Sequence, residues 1–124
     1  MKLSLVVPCY NEAENVALFQ EETIKAFQGC GYSYEIVFVD DGSQDATLHQ
    51  LRKIYSNGKC PVKVVSFSRN FGKESALYAG LQHASGDYVS LIDADLQQRP
   101  EIVRDMVQML EEQPEYDIVA AFQD

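Results

Sequence analysis

Basic residues are scarce in this sequence. Ten Lys and Arg stand against 19 Asp and Glu over 124 residues, a formal charge of −9, which argues against a nucleic-acid backbone or an anionic membrane surface as the main partner. Cysteine is sparse as well. Cys9, Cys30 and Cys60 are odd in number, far apart and without paired metal-ligand spacing, so a disulfide framework is not expected, and the usage fits a reducing compartment with all three as packing residues. No apolar run is long enough to span a bilayer. "MKLSLVVP" is apolar only briefly before "CYNEAEN" begins, unlike a signal peptide, so any membrane anchor is expected outside this chain. Neither G-x-x-x-x-G-K-[ST] nor G-x-G-x-x-G stands in the right place, which counts against a P-loop or a dinucleotide fingerprint. Internal repeats, linkers and low-complexity segments are also missing.

What is present suits one packed domain over residues 1–124. The chain is 46% hydrophobic with seven Tyr and six Phe, enough for one core but too short for two ordinary domains. The β-branched runs "LSLVV", "YEIVFV", "VKVVSF", "YVSLI" and "DIVAAF" predict five strands, and their near-continuous apolar character predicts burial on both faces of a mostly parallel sheet. Helical patterns lie between them. Val16, Phe19, Thr23 and Phe27 share one helical face ahead of Gly29, and Leu48, Leu51 and Ile54 repeat the pattern. Lys73 to Ala84 and Glu101 to Glu112 read similarly, the latter opened by Pro100, a residue favoured in a first turn. The alternation is α/β. With strand order 3-2-1-4, right-handed crossovers set the first and fourth strands side by side. Ligands of such sheets sit beyond the carboxyl ends of the strands at the point where strand order reverses. "PCYNE", "DDGSQD" and "DADLQ" would then line one crevice.

Each of these stretches carries chemistry, and each has a plain structural alternative. Asp93 and Asp95 are two apart, so an extended segment points both the same way, and Gln97 continues the alternation. Two carboxylates and an amide oxygen suit Mg2+ or Mn2+; the alternative is a solvated turn ahead of Pro100. Asp40 and Asp41, before Gly42 and Ser43, can accept from nucleobase N–H groups, with Gly42 allowing backbone to come close to a ligand. They can equally form a turn capped by Ser43 or Asp45. Tyr10 offers a stacking surface, Asn11 an amide and Glu12 an acceptor, while Asn11 could instead cap the next helix. Arg69 or Lys73 could face a diphosphate, or be solvated. His49 and His83 fall inside helices and receive no role.

Together, "VVPCYNEAEN", "VFVDDGSQDAT" and "FSRNFGKESALYAGLQHASGDYVSLIDADLQQRPE" resemble, in order and spacing, the family-two glycosyltransferases with the Rossmann-like GT-A fold. Nearly the whole chain is covered. Within that family the polyprenyl-phosphate sugar transferases, such as dolichol-phosphate mannose synthases and bactoprenol glucosyltransferases, look most similar, because "RNFGKE" and "DADLQ" are characteristic of them. The resemblance implies that Pro8, Tyr10 and Glu12 contact the nucleotide of a UDP- or GDP-linked sugar and that Asp40, with Asp41, reads the base. It also implies Lys73, Asp93 and Ala94 in the nucleotide-sugar pocket, with Asp93 on the ribose or metal side, Asp95 as main metal ligand and Gln97 as a third. Gln98 and Arg99 stand where the family has Asp or His followed by Pro, a departure that leaves the metal ligands intact and bears on the sugar and acceptor preference.

The resemblance further implies a nucleotide-binding half of a longer, cytoplasmic enzyme. Its acceptor, a lipid phosphate or a glycan, and its general base would lie beyond the fifth strand; no catalytic residue is identified within this chain. Apolar surface left by the absent part could support a homodimer. The rival expectations are a non-catalytic nucleotide-binding module and a nucleotidyltransferase, which also uses a metal and a nucleotide on a similar sheet.

Overall fold

In the computed structural model, which describes residues 1–112, strands and helices alternate. They are β1 (Lys2–Cys9), α1 (Val16–Phe27), β2 (Ser33–Asp40), α2 (Thr47–Asn57), β3 (Val62–Ser66), α3 (Lys73–His83), β4 (Tyr88–Leu91) and α4 (Pro100–Glu112). The fifth strand expected at 117–122 lies outside the described residues. Among the described residues every pairing is parallel, as the alternation predicts, and the order is β3-β2-β1-β4, the expected one.

The two central strands are apolar on both sides because helices cover both. Leu3, Leu5, Val7 and Cys9 of β1 join Ile36 and Phe38 of β2 in a core completed by α1, α2 and α4. Val6, Val37 and Val39 face the other way, toward Ala76 of α3. This division follows from handedness: the chain steps from β1 through β2 to β3, then reverses to reach β4, so a right-handed crossover carries α3 to the opposite face. Val16, Phe19, Thr23 and Phe27 are all buried, as their spacing predicts, and Phe19 meets Phe38 edge-on at 6.0 Å. On the other face α3 approaches closely through Gly80, where a Cβ would lie 2.3 Å from Val6 Cγ1. All three cysteines are free, Cys9 buried and the other two partly buried against the main core.

The amino-terminal end of the sheet is pinned by a buried carboxylate. Glu35, 2% exposed, accepts from Ser4 Oγ at 2.6 Å, Ser85 N at 2.8 Å and Ser85 Oγ at 2.9 Å. Lys63 Nζ lies 3.1 Å and Lys2 Nζ 3.6 Å from its other oxygen. Burial disfavours the charge, but the hydrogen bonds from Ser4, Ser85 and Lys63 outweigh it and hold the carboxyl down to about 2. A folded-state value below the ordinary one gives stability that is complete above pH ~4.5 and is lost as pH falls toward ~2. Glu35→Ala should therefore lower the urea-unfolding free energy at pH 7 by about 3 kcal/mol. The gap from wild type should narrow through that acid window; a constant gap at all pH values would contradict the assignment.

Candidate functional site

Register determines which loops meet. Cys9 pairs with Asp40 and Val6 with Leu91, and Ile92 N donates to Val6 O at 3.0 Å. The segments after β1, β2 and β4 therefore emerge at one edge. A cleft of about 170 Å³ opens there, lined by Pro8, Cys9, Tyr10, Glu12, Asp41, Lys73 and Asp93. Six of these carry a site role in the sequence reading. Cys9 does not, and the only signal for it is its place between Pro8 and Tyr10. Burial pushes its thiol far up, with further contributions from Glu12, Asp40 and Asp93, so acids from three loops lie within electrostatic reach of one sulfur.

Asn11, Asp40, Ala94, Asp95 and Gln97 are not in the cleft lining. Asn11, in the left-handed region at φ 54°, braces two loops: its N–H donates to Ser43 Oγ and its Oδ1 accepts from Gln44 N, both at 2.9 Å. Glu12 N donates to Thr47 Oγ1 at 2.9 Å and Ala13 N to Asp45 Oδ2 at 3.4 Å, completing the seam. The helix-capping alternative for Asn11 is thus corrected, because Asn15 occupies the position before α1. Asn15 Nδ2 donates to Glu12 Oε2 at 2.7 Å, which orients that carboxylate. Ser43 does not cap α2 either. Asp45 accepts from Thr47 N at 2.9 Å and from the Thr47 hydroxyl, and these bonds, the hydroxyl's first, lower its pKa.

Asp40 and Asp41 are both buried, but they serve different partners. Asp40 Oδ1 accepts from Ser43 N at 3.2 Å, closing the turn. Asp41 Oδ1 accepts from Phe71 N at 2.8 Å and Gly72 N at 3.3 Å, and its Oδ2 from Gly72 N at 3.1 Å and Asn70 Nδ2 at 3.2 Å. Gly42 has φ +68°, and a Cβ there would lie 2.1 Å from the Arg69 carbonyl carbon. The close approach that Gly42 permits is therefore to the loop after β3. Of the two cations that follow β3, Arg69 in the loop stacks 4.5 Å from the Phe71 ring centroid. Lys73 instead lines the cleft, its Nζ 3.1 Å from Asp93 Oδ1.

The extended geometry expected for Asp93 to Asp95 is corrected by the structure. β4 ends at Leu91 and the chain turns at Ala94 and Asp95, because Asp95 Oδ1 accepts from Gln97 N at 3.1 Å and Leu96 takes φ 63°. Exposure still alternates: Asp93 is half-exposed, Ala94 buried and Asp95 exposed. Among the described residues no group of three or more His, Cys, Asp or Glu gathers to hold a metal. Asp93 and Asp95 offer two hard carboxylates. That all-oxygen donor set, without His or Cys, is unlike the N- and S-rich sites zinc favours and fits Mg2+ or Mn2+, which keep water and take phosphate oxygens as further ligands.

Comparison with known proteins gives a consistent result. The model of the glycosyl transferase family 2 matches residues 4–124. The bactoprenol glucosyl transferase of Shigella phage SfV is 47% identical over 109 residues, 87% of this chain and 35% of that protein. Among solved structures, a mannosyltransferase from Pyrobaculum calidifontis in complex with GDP-Man and Mn2+ superposes with TM-score 0.70 at 29% identity, over 87% of this chain and 32% of its own. S. aureus TarS 1–349 in complex with UDP-GlcNAc gives TM-score 0.74 at 28% identity, over 90% and 32%. This chain thus spans about a third of the length of the proteins it matches.

The geometry around Gly42 yields a test. Gly42→Ala combines a left-handed backbone with a clash against the Arg69–Asn70 backbone, so it should cost about 2 kcal/mol or more in thermal unfolding. Proteolytic cutting in the loop after β3 should increase with it. An unchanged melting temperature would mean that the loop is not held against Gly42 in solution.

Proposed function

The chain belongs to the glycosyl transferase family 2 and has the GT-A fold, and from that membership we propose that it binds the nucleotide sugar in a polyprenyl-phosphate sugar transferase. The observation that carries this reading is the cleft where Tyr10 and Glu12 after β1, Asp93 after β4 and Lys73 at the start of α3 meet. The bactoprenol enzyme among its relatives supports a lipid-phosphate acceptor. The GDP-Man and UDP-GlcNAc complexes support a nucleoside-diphosphate sugar as donor, and the Mn2+ in the former supports a divalent cation.

In this reading Tyr10, 44% exposed, presents its ring to the nucleotide beside Pro8, and Asp40, 2% exposed and behind the cleft lining, would reach the base only if its turn with Ser43 opened. Lys73 places an ammonium against the diphosphate, countering the charge of Glu12 and Asp93. A divalent cation held by Asp93 and Asp95 supplies Lewis-acid stabilisation of the leaving nucleoside diphosphate. The bond from the anomeric carbon to the diphosphate breaks, through a transition state with oxocarbenium character, and a bond to the acceptor phosphate oxygen forms. A phosphate monoester with its second pKa near ~6 is largely ionised at pH 7, so the acceptor can attack without a strong base from this chain. Among the described residues no helix is long and apolar enough to cross a membrane. The cytoplasm as the compartment is supported by the three free cysteines.

Calorimetry with UDP- and GDP-sugars in Mn2+ or Mg2+, and again in EDTA, tests the proposal. Binding to one of them should weaken at least about tenfold in EDTA, and Asp95→Ala should remove that metal dependence while changing stability by no more than ~0.5 kcal/mol. Equal affinity with and without chelator would take the cation out of the mechanism.

A further inference from the structure

We infer that Asp41 is a positioning residue, which caps α3 from outside the helix and so holds Lys73 at the place proposed for the donor diphosphate; the inference rests on the nucleotide-sugar reading of the cleft. α3 begins at Lys73 with Gly72 before it, and no side chain of its own segment caps it. The amides that lead into it meet a carboxylate from the end of β2 instead: Gly72 N, at the residue before the helix, and Phe71 N ahead of it both donate to Asp41, as does Asn70 Nδ2. That carboxylate belongs to a residue only 4% exposed, and these hydrogen-bond partners are all neutral amides. Its charge is compensated by donors clustered at a helix start, where the dipole favours an anion.

The cap determines where α3 starts, and the start determines where Lys73 points. Gly72 sits at φ 104° and ψ 160°, a conformation that L side chains rarely adopt, and it turns the loop into the helix immediately before Lys73. One residue along a helix rotates a side chain by about 100°, so a slip at Gly72 would swing the ammonium away from Asp93, now 3.1 Å distant. Both Asp41 oxygens already accept hydrogen bonds. A direct contact of Asp41 with the base would have to compete with the cap.

Affinities for a nucleoside diphosphate and for the matching nucleoside, with Mg2+ throughout, distinguish these roles on the intact protein. Asp41→Asn should weaken diphosphate binding about tenfold and leave nucleoside binding within about twofold. The double variant with Lys73→Met should bind no more weakly than Lys73→Met alone, the non-additivity expected of residues acting through one another. Gly72→Ala guards against a misfolded Asp41 variant: its Cβ meets nothing within 4 Å, it removes no charge, and it should give the same Lys73-dependent loss. Losses that add to Lys73→Met, or that fall equally on nucleoside and diphosphate, would overturn the inference and return Asp41 to the base. A wild-type protein that binds no nucleoside diphosphate would overturn the reading of the cleft and the inference with it.

Discussion

The pairing of β1 with β2 on one side and β4 on the other is the constraint on which the carboxyl edge depends. Parallel strands send all their carboxyl ends the same way, and the register Cys9 to Asp40 and Val6 to Leu91 sets the three acidic loops level with one another. α1 and α4 then pack together on one face, while α3, sent to the other, begins beside the same edge. Its first residue, Lys73, is therefore available to Asp93 although β3 and β4 are the outer strands of the described sheet. Slipping β1 by one residue would invert its faces, driving Leu3, Leu5 and Val7 against α3, where Gly80 leaves room only for a side chain of the size and position of Val6, so the packing that stabilises the fold is also what aligns the site.

The two ends of the sheet handle carboxylates differently. At the amino end Glu35 has Lys2 and Lys63 beside it and serine donors around it, a closed arrangement that contributes stability. At the carboxyl end Asp40, Asp41 and Asp45 are served mainly by backbone N–H groups and by Asn70 and Thr47. Amides can stabilise a buried negative charge without cancelling it. The bonds that order these loops thus leave the edge acidic, with Lys73 the one cation among the described residues that line its cleft.

The fold was legible because burial on both faces is written as continuous apolar runs in β1 and β2, and because Gly and polar clusters interrupt them at the right intervals. The supposed strand order, 3-2-1-4, is the one found, but alternation and handedness alone are compatible with other doubly wound orders. At the site the sequence showed which loops meet but not how each acid is used. Asp40 and Asp41 are neighbours with identical side chains; only the return of the loop after β3, a long-range contact, makes one of them close a turn and the other cap a helix. Asn11 was ambiguous for the same reason, since its partners Ser43 and Gln44 lie on another loop. The turn at Asp95 was hidden too: the Asp95–Gln97 bond competes locally with extended backbone, and period-two spacing cannot register it.

An acidic edge with one ammonium also constrains how a diphosphate ligand could be accommodated. Its charges would meet Glu12 and Asp93 with only Lys73 opposing them, and Lys73 is already paired with Asp93. A divalent cation alone finds the carboxylates of Asp93 and Asp95 and no third His, Cys, Asp or Glu among the described residues, a set that phosphate oxygens and water would have to complete. Each partner thus lacks what the other brings, and in the proposed reading the two bind with positive coupling, each raising the affinity for the other by the same factor. In that reading the Lys73–Asp93 pair would neutralise the carboxylate while no cation is bound, and a cation held by Asp93 would leave the ammonium for the diphosphate.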